Sequence, residues 1–172
     1  MIRLPAALLA AVMLAACSIP AGPPRQVPIA RAGVLPLALS DDLEFRKVSI
    51  FLNEPRSQAR THNEMILFER QRVNYGAVTG VDYLERVGQY FNIWWRAKRP
   101  ADITVRFEYR QENLGSLVQA KELQYRGAKG TIESKFCVIG DEYTEAGKAT
   151  SWRVLLIENG RIVAVRQSLL WN

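Results

Sequence analysis

Residues 102–110 read DITVRFEYR, and the alternation is unbroken: Ile103, Val105, Phe107 and Tyr109 fall on one side of an extended chain, Thr104, Arg106, Glu108 and Arg110 on the other. Successive side chains of a strand point to opposite faces, so a period of two describes a strand with one dry and one wet face. Such strands belong to antiparallel sheets covered on one side. The preceding stretch QYFNIWWRA (89–97) repeats the pattern, with Phe91, Ile93, Trp95 and Ala97 on one face. Ile132, Phe136 and Val138 mark a further strand. Residues 43–52, 64–70 and 117–126 are weaker strand candidates, because their apolar residues do not alternate strictly.

Near the end, SWRVLLIENGRIVAVRQSLLW (151–171) carries Asn159-Gly160 between two apolar runs. A two-residue type I′ turn needs positive φ at both positions, which Asn-Gly supplies. Pairing outward from Glu158 and Arg161 sets Leu156 opposite Val163, Val154 opposite Val165 and Trp152 opposite Gln167 on one face. The other face pairs Ile157 with Ile162 and Arg153 with Arg166. Two arginines directly opposite repel, so that pair calls for a carboxylate or solvent between them.

One short helix is expected at Asp82-Tyr83-Leu84-Glu85, capped by Asp82 and stopped by Gly88. One helix among seven or eight strands predicts an all-β chain: an antiparallel β-sandwich resembling the immunoglobulin or fibronectin arrangement, with Trp95 as its central tryptophan. A small β-barrel is the alternative. There is no internal repeat.

The 172-residue chain has a formal charge of +6, and arginine outnumbers lysine 17 to 6. For an exported chain this basicity points to anionic lipid, acidic polysaccharide or an acidic partner, and not to nucleic acid. His62 is the single histidine, so a histidine triad or histidine metal site would have to be built on it alone. The two cysteines are Cys17 and Cys137. With Cys17 modified, as argued below, Cys137 is a lone thiol, no internal disulfide forms, and stability rests on the core.

No catalytic constellation emerges. GDEYTEAGKAT (140–150) has six residues between its glycines and Ala149 after Lys148, which does not fit a phosphate-binding loop. It reads as a hairpin loop. Asp141, Glu142 and Glu145 lack the alternating ligand spacing of calcium loops. No G-x-S-x-G is present, and none of the twelve glutamates sits in a glycosidase-like context. The sequence argues against an enzyme and gives no reason to expect a metal or organic cofactor.

A surface is a better candidate. With Trp95 pointing inward, Trp94 points outward together with Tyr90 and Arg96, and the next strand places Arg106 and Arg110 on its own outer face. Tyr90, Trp94, Arg96, Arg106 and Arg110 thus form a candidate binding surface for an acidic glycan or lipid, or for a protein. Arginine over indole contributes about 0.5–1 kcal/mol at exposed sites.

The amino terminus supplies the address. Arg3 precedes a thirteen-residue apolar run, Leu4–Ala16. A membrane-spanning helix needs about 20 such residues, so the run suits an export signal instead. Leu14-Ala15-Ala16-Cys17 resembles the lipobox of bacterial lipoprotein precursors: an aliphatic residue, two small residues and a cysteine. The resemblance implies cleavage before Cys17 and acylation of its thiol, which anchors the chain to a membrane. Ser18, where an aspartate would imply inner-membrane retention, implies the outer membrane. Five of the eight prolines (Pro20, Pro23, Pro24, Pro28 and Pro36) lie between residues 18 and 42. The expected organisation is a signal peptide at 1–16, a proline-rich tether at 17–42 spanning about 25–30 Å, and a β-sandwich domain at 43–172. The expected role is a lipid-anchored envelope module that binds or scaffolds an envelope protein.

Overall fold

The computed structural model describes residues 24–30, 32–54 and 63–171. In chain order the elements are β1 (Val27–Ile29), β2 (Leu43–Asn53), α1 (Glu64–Val73), α2 (Gly80–Leu84), β3 (Gly88–Gln111), a 3₁₀ turn (Glu112–Leu114), β4 (Val118–Ile139), α3 (Asp141–Ala146), β5 (Ala149–Glu158) and β6 (Arg161–Gln167). The chain is all-β and antiparallel, as the alternation predicts. Its strands form one six-stranded sheet in the order β1-β4-β3-β5-β6, with β2 on the other side of β3's first half.

The two alternating runs at 89–97 and 102–110 are halves of a single 24-residue strand, β3. The first half pairs with β2 and with the second half of β4; the second half pairs with β5 and with the first half of β4. Between them the pairing slips twice, from Ala97–Gly130 to Ala101–Ala128 and then to Ile103–Tyr125. Extra residues on a strand bend it and increase its twist. Gly127 and Gly130, both at positive φ, supply the matching bend in β4. Arg99 pins the apex: its guanidinium bonds both carboxylate oxygens of Glu158 at 2.7 Å and reaches Asp42 at 3.1 Å.

The sheet therefore folds over onto itself, and its inner faces make the core. Phe91 and Phe107, sixteen positions apart on the same strand, bring their ring centroids to 4.6 Å, and Phe107 stacks on Phe136 at 5.2 Å. Ile93, Trp95, Val105, Tyr109, Val138, Val154 and Leu156 complete the interior. Trp95 is fully buried, as expected of a central tryptophan, and its indole N–H donates to Ser134 Oγ at 2.9 Å. The layers share two bent strands and the sheet does not close, so the architecture lies between a sandwich and a barrel.

Local expectations need correction at several points. Residues 64–70 are not a strand: they lie in α1, whose Asn63 side chain accepts from the Met65 and Ile66 backbone N–H groups. The expected helix at 82–85 is α2, but Thr79 caps it, in a reciprocal capping box with Asp82. The loop at 140–150 contains α3. In the β5–β6 hairpin the turn is as expected, with Asn159 and Gly160 at φ +49° and +73°. However, Val163 is an extra residue that slips the register beyond Ile157–Ile162, so Leu156 faces Ala164 and Val154 faces Arg166. This bulge places Arg153 opposite Gln167 and removes the arginine–arginine pair.

Within the segment expected as a tether, residues 24–30 and 32–42 run along the domain. Val27–Ile29 pairs with Ala120–Glu122 of β4. The Gln26 side chain bonds the Lys135 carbonyl at 3.1 Å and the Cys137 N–H at 3.3 Å. Residues 36–40 bond the backbone of Ile162 and Val163. Cys137 is a free, half-buried thiol beside Gln26. The signal segment, Cys17, Ser18 and His62 lie outside the described residues.

Candidate functional site

The bend decides what becomes of the expected binding surface. The inner faces of the two halves of β3 meet in the core, so their outer faces point away from each other. Tyr90, Trp94 and Arg96 lie on one side of the domain, Arg106 and Arg110 on the other. In the first group, Lys47 Nζ sits 5.3 Å from the Trp94 ring, and the Tyr90 hydroxyl donates to the Arg86 carbonyl at 2.8 Å. Burial pushes the Tyr90 hydroxyl up to about 12. Arg96 is exposed.

In the second group, charges cross three strands in a ladder. Arg106 bonds Glu122 at 2.7 Å and lies 3.9 Å from the buried Glu108, which bonds Arg153 at 2.5 Å. Arg106 also donates to the Gly33 carbonyl at 3.1 Å. The guanidinium groups of Arg110 and Arg153 stack on Trp171 at 4.4 and 5.0 Å. Arg106 and Arg153 are thus held by the protein's own carboxylates, and Arg110 and Arg153 are covered by Trp171. The five residues do not make one surface.

At the end of the domain opposite the bend, α3 closes the core with polar locks. Tyr109 donates to the Glu142 carboxylate, which also takes Lys121 Nζ at 2.6 Å. Lys121 donates in addition to the Cys137 carbonyl at 2.6 Å. Gln111 donates to the carbonyls of Glu142 and Gly147 at 3.0 and 2.8 Å. Tyr143 donates to Glu54. Burial first, and then the neighbouring carboxylate, push both tyrosine hydroxyls above their ordinary value. Clefts of about 670 and 700 Å³ flank the helix. Glu142, which borders the first, accepts from both Tyr109 and Lys121 and so fastens α3 to the sheet. Among the described residues, no three His, Cys, Asp or Glu side chains gather as a metal site.

The feature that sequence reasoning missed is α1 and its setting, in the excursion from Asn63 to Val87 between β2 and β3. Its two helices bury no residue. Met65, Phe68, Tyr75, Val78 and Val81 are all exposed, Phe68 by 63% and Tyr75 by 88%. Phe68, Gln71, Arg72 and Tyr75 line a hollow of about 370 Å³. The excursion is nonetheless held by polar bonds. Both helices are capped, Asn53 Nδ2 bonds Asn74 and the Arg86 carbonyl at 3.1 and 2.8 Å, and Arg86 bonds the Tyr75 carbonyl at 2.9 Å. These apolar side chains are held in place without entering the core. The signal for α1 was the run Met65-Ile66-Leu67-Phe68 behind an asparagine cap, which strand reading absorbed. No family model matches this chain, and no curated protein or solved structure matches it either.

Proposed function

We propose that the protein is an exported envelope lipoprotein, anchored through acylated Cys17 to a bacterial membrane, the outer one by the Ser18 rule, whose β-domain docks or scaffolds an envelope protein. The lipobox Leu14–Cys17 supports the location. The observation that carries the docking role is the fixed apolar patch of Met65, Phe68, Tyr75 and Val78, since burying such side chains against a partner is worth about 25 cal/mol per Å². The glycan or lipid reading is not favoured, because its five residues are split between two faces.

The test has two arms. Cys17→Ala shifts the protein from the membrane fraction to the soluble one. A photocrosslinking residue at Tyr75 yields a discrete adduct with one envelope protein in cells, whereas the same residue at Thr131, exposed on β4, does not. Membrane association indifferent to Cys17→Ala overturns the anchoring, and adducts equal at the two positions overturn the docking role.

A further inference from the structure

The sheet stays open between β2 and β6, and the opening has a chemical character. At the bend end the seam is sealed, because residues 36–40 hydrogen-bond to Ile162 and Val163 of β6. Beyond Val163 neither strand pairs across the gap: among the described residues β2 bonds only β3, and β6 only β5. Among the described residues no ladder joins the two edges there, although β2 and β6 stay in contact.

The β2 residues at this edge point to the core side, but of the three only Val48 packs against the core. Val48, Ile50 and Leu52 are register partners of Ile93, Phe91 and Gln89. Phe91 and Ile93 are fully buried, whereas Ile50 is 48% and Leu52 36% exposed. Val48 also borders a cleft of about 590 Å³ whose other walls include Trp152, Val165, Arg166 and Leu169. Leu169 is 98% exposed. Alternate apolar side chains beside an unpaired backbone edge have the shape and bonding needs of one more strand.

Charge narrows the choice. Arg166 shares a face with Val154 and lines the cleft. Among the described residues it has no carboxylate partner. Arg166 is itself exposed; a charge at a strand edge discourages indiscriminate pairing, and it favours a strand that brings an acid. We infer that this seam receives an extended segment of the docked envelope protein, added along the free edge of β2, with apolar residues at alternate positions and a carboxylate opposite Arg166. The inference rests on the docking role proposed above and adds the manner of recognition.

The probes are three synthetic peptides of equal length. One alternates valine with threonine and glutamate. The second replaces glutamate by lysine. The third has the first peptide's composition with its valines in one block. The glutamate peptide binds at least tenfold more tightly than either of the others, and it slows hydrogen exchange along β2 and at Val165–Gln167. Arg166→Glu reverses the preference between the glutamate and lysine peptides. Leu169→Glu, at a fully exposed site that cannot disturb the core, weakens all binding.

Equal binding of the block peptide, an unreversed charge preference, or protection elsewhere overturns the inference. So does a dimer of this chain dissociated by Arg166→Glu, or a vesicle of anionic lipid bound through the same residues, since each assigns the seam another occupant. Loss of peptide binding with the Tyr75 adduct intact defeats the seam alone. Loss of the adduct with peptide binding intact defeats the docking patch alone.

Discussion

Phe107→Ala is the substitution that most directly probes the folded-over sheet. Phe107 is fully buried, and its ring meets Phe91 at 4.6 Å, Tyr109 at 5.2 Å and Phe136 at 5.2 Å. It thus joins the first half of β3 to the second, and both to β4. Replacing a buried phenylalanine with alanine costs about 3–5 kcal/mol, combining lost transfer energy with the cavity left behind. Three lost aromatic contacts put this site toward the upper end. Trp94→Ala is the control, because Trp94 lies on the outer face of the same strand and loses mainly the Lys47 contact and part of its area, about 1–2 kcal/mol. Urea unfolding followed by tryptophan fluorescence reads both. With a slope of about 2 kcal/mol per molar, Phe107→Ala moves the midpoint down by about 2 M, and Trp94→Ala by less than half as much. Equal shifts, or a shift of a few tenths molar for Phe107→Ala, refute the apposition of the two halves.

Three further outcomes follow from the same geometry. Glu108→Ala leaves Arg106 without its buried neighbour and unpairs Arg153, and costs about 3 kcal/mol in urea unfolding. Gly88→Ala costs about 3 kcal/mol or more by the same measurement, because φ is +139° and an added Cβ would lie 2.2 Å from the Val138 carbonyl oxygen. Tyr109 and Tyr143 titrate above their ordinary value of 10 when folded, so their contribution is fully present below that pH and is lost as pH rises past it, where the unfolded chain ionises first. Urea midpoints taken between about pH 8 and about pH 11 therefore fall for the natural chain, and fall less for Tyr109→Phe.

Much of the fold was legible because side-chain alternation reports directly on burial. Phe91, Ile93, Trp95 and Ala97 are all buried, and so are Ile103, Val105, Phe107 and Tyr109. The Asn159-Gly160 turn was equally plain, since few residue pairs accept positive φ twice. What alternation does not encode is where a strand bends. The two alternating runs at 89–97 and 102–110 read as two strands, yet bulges between Ala97 and Ile103 carry the pairing through. That single difference moved Arg106 and Arg110 to the face opposite Trp94 and dissolved the expected surface. The Val163 bulge was hidden for a related reason: Val163 and Ala164 are both apolar and both buried, so neither register looked wrong. The segment 64–70 escaped because its apolar residues serve no core. Helix periodicity is visible only when one face is buried, and α1 buries none.

The proposed anchoring stands on the chemistry of Cys17, and intact-mass spectrometry of the protein from the membrane fraction of its natural host tests it most directly. The prediction is a chain beginning at Cys17 that carries a thioether-linked diacylglyceryl group. A chain that retains Met1, or one whose Cys17 thiol is free, contradicts the proposed anchoring.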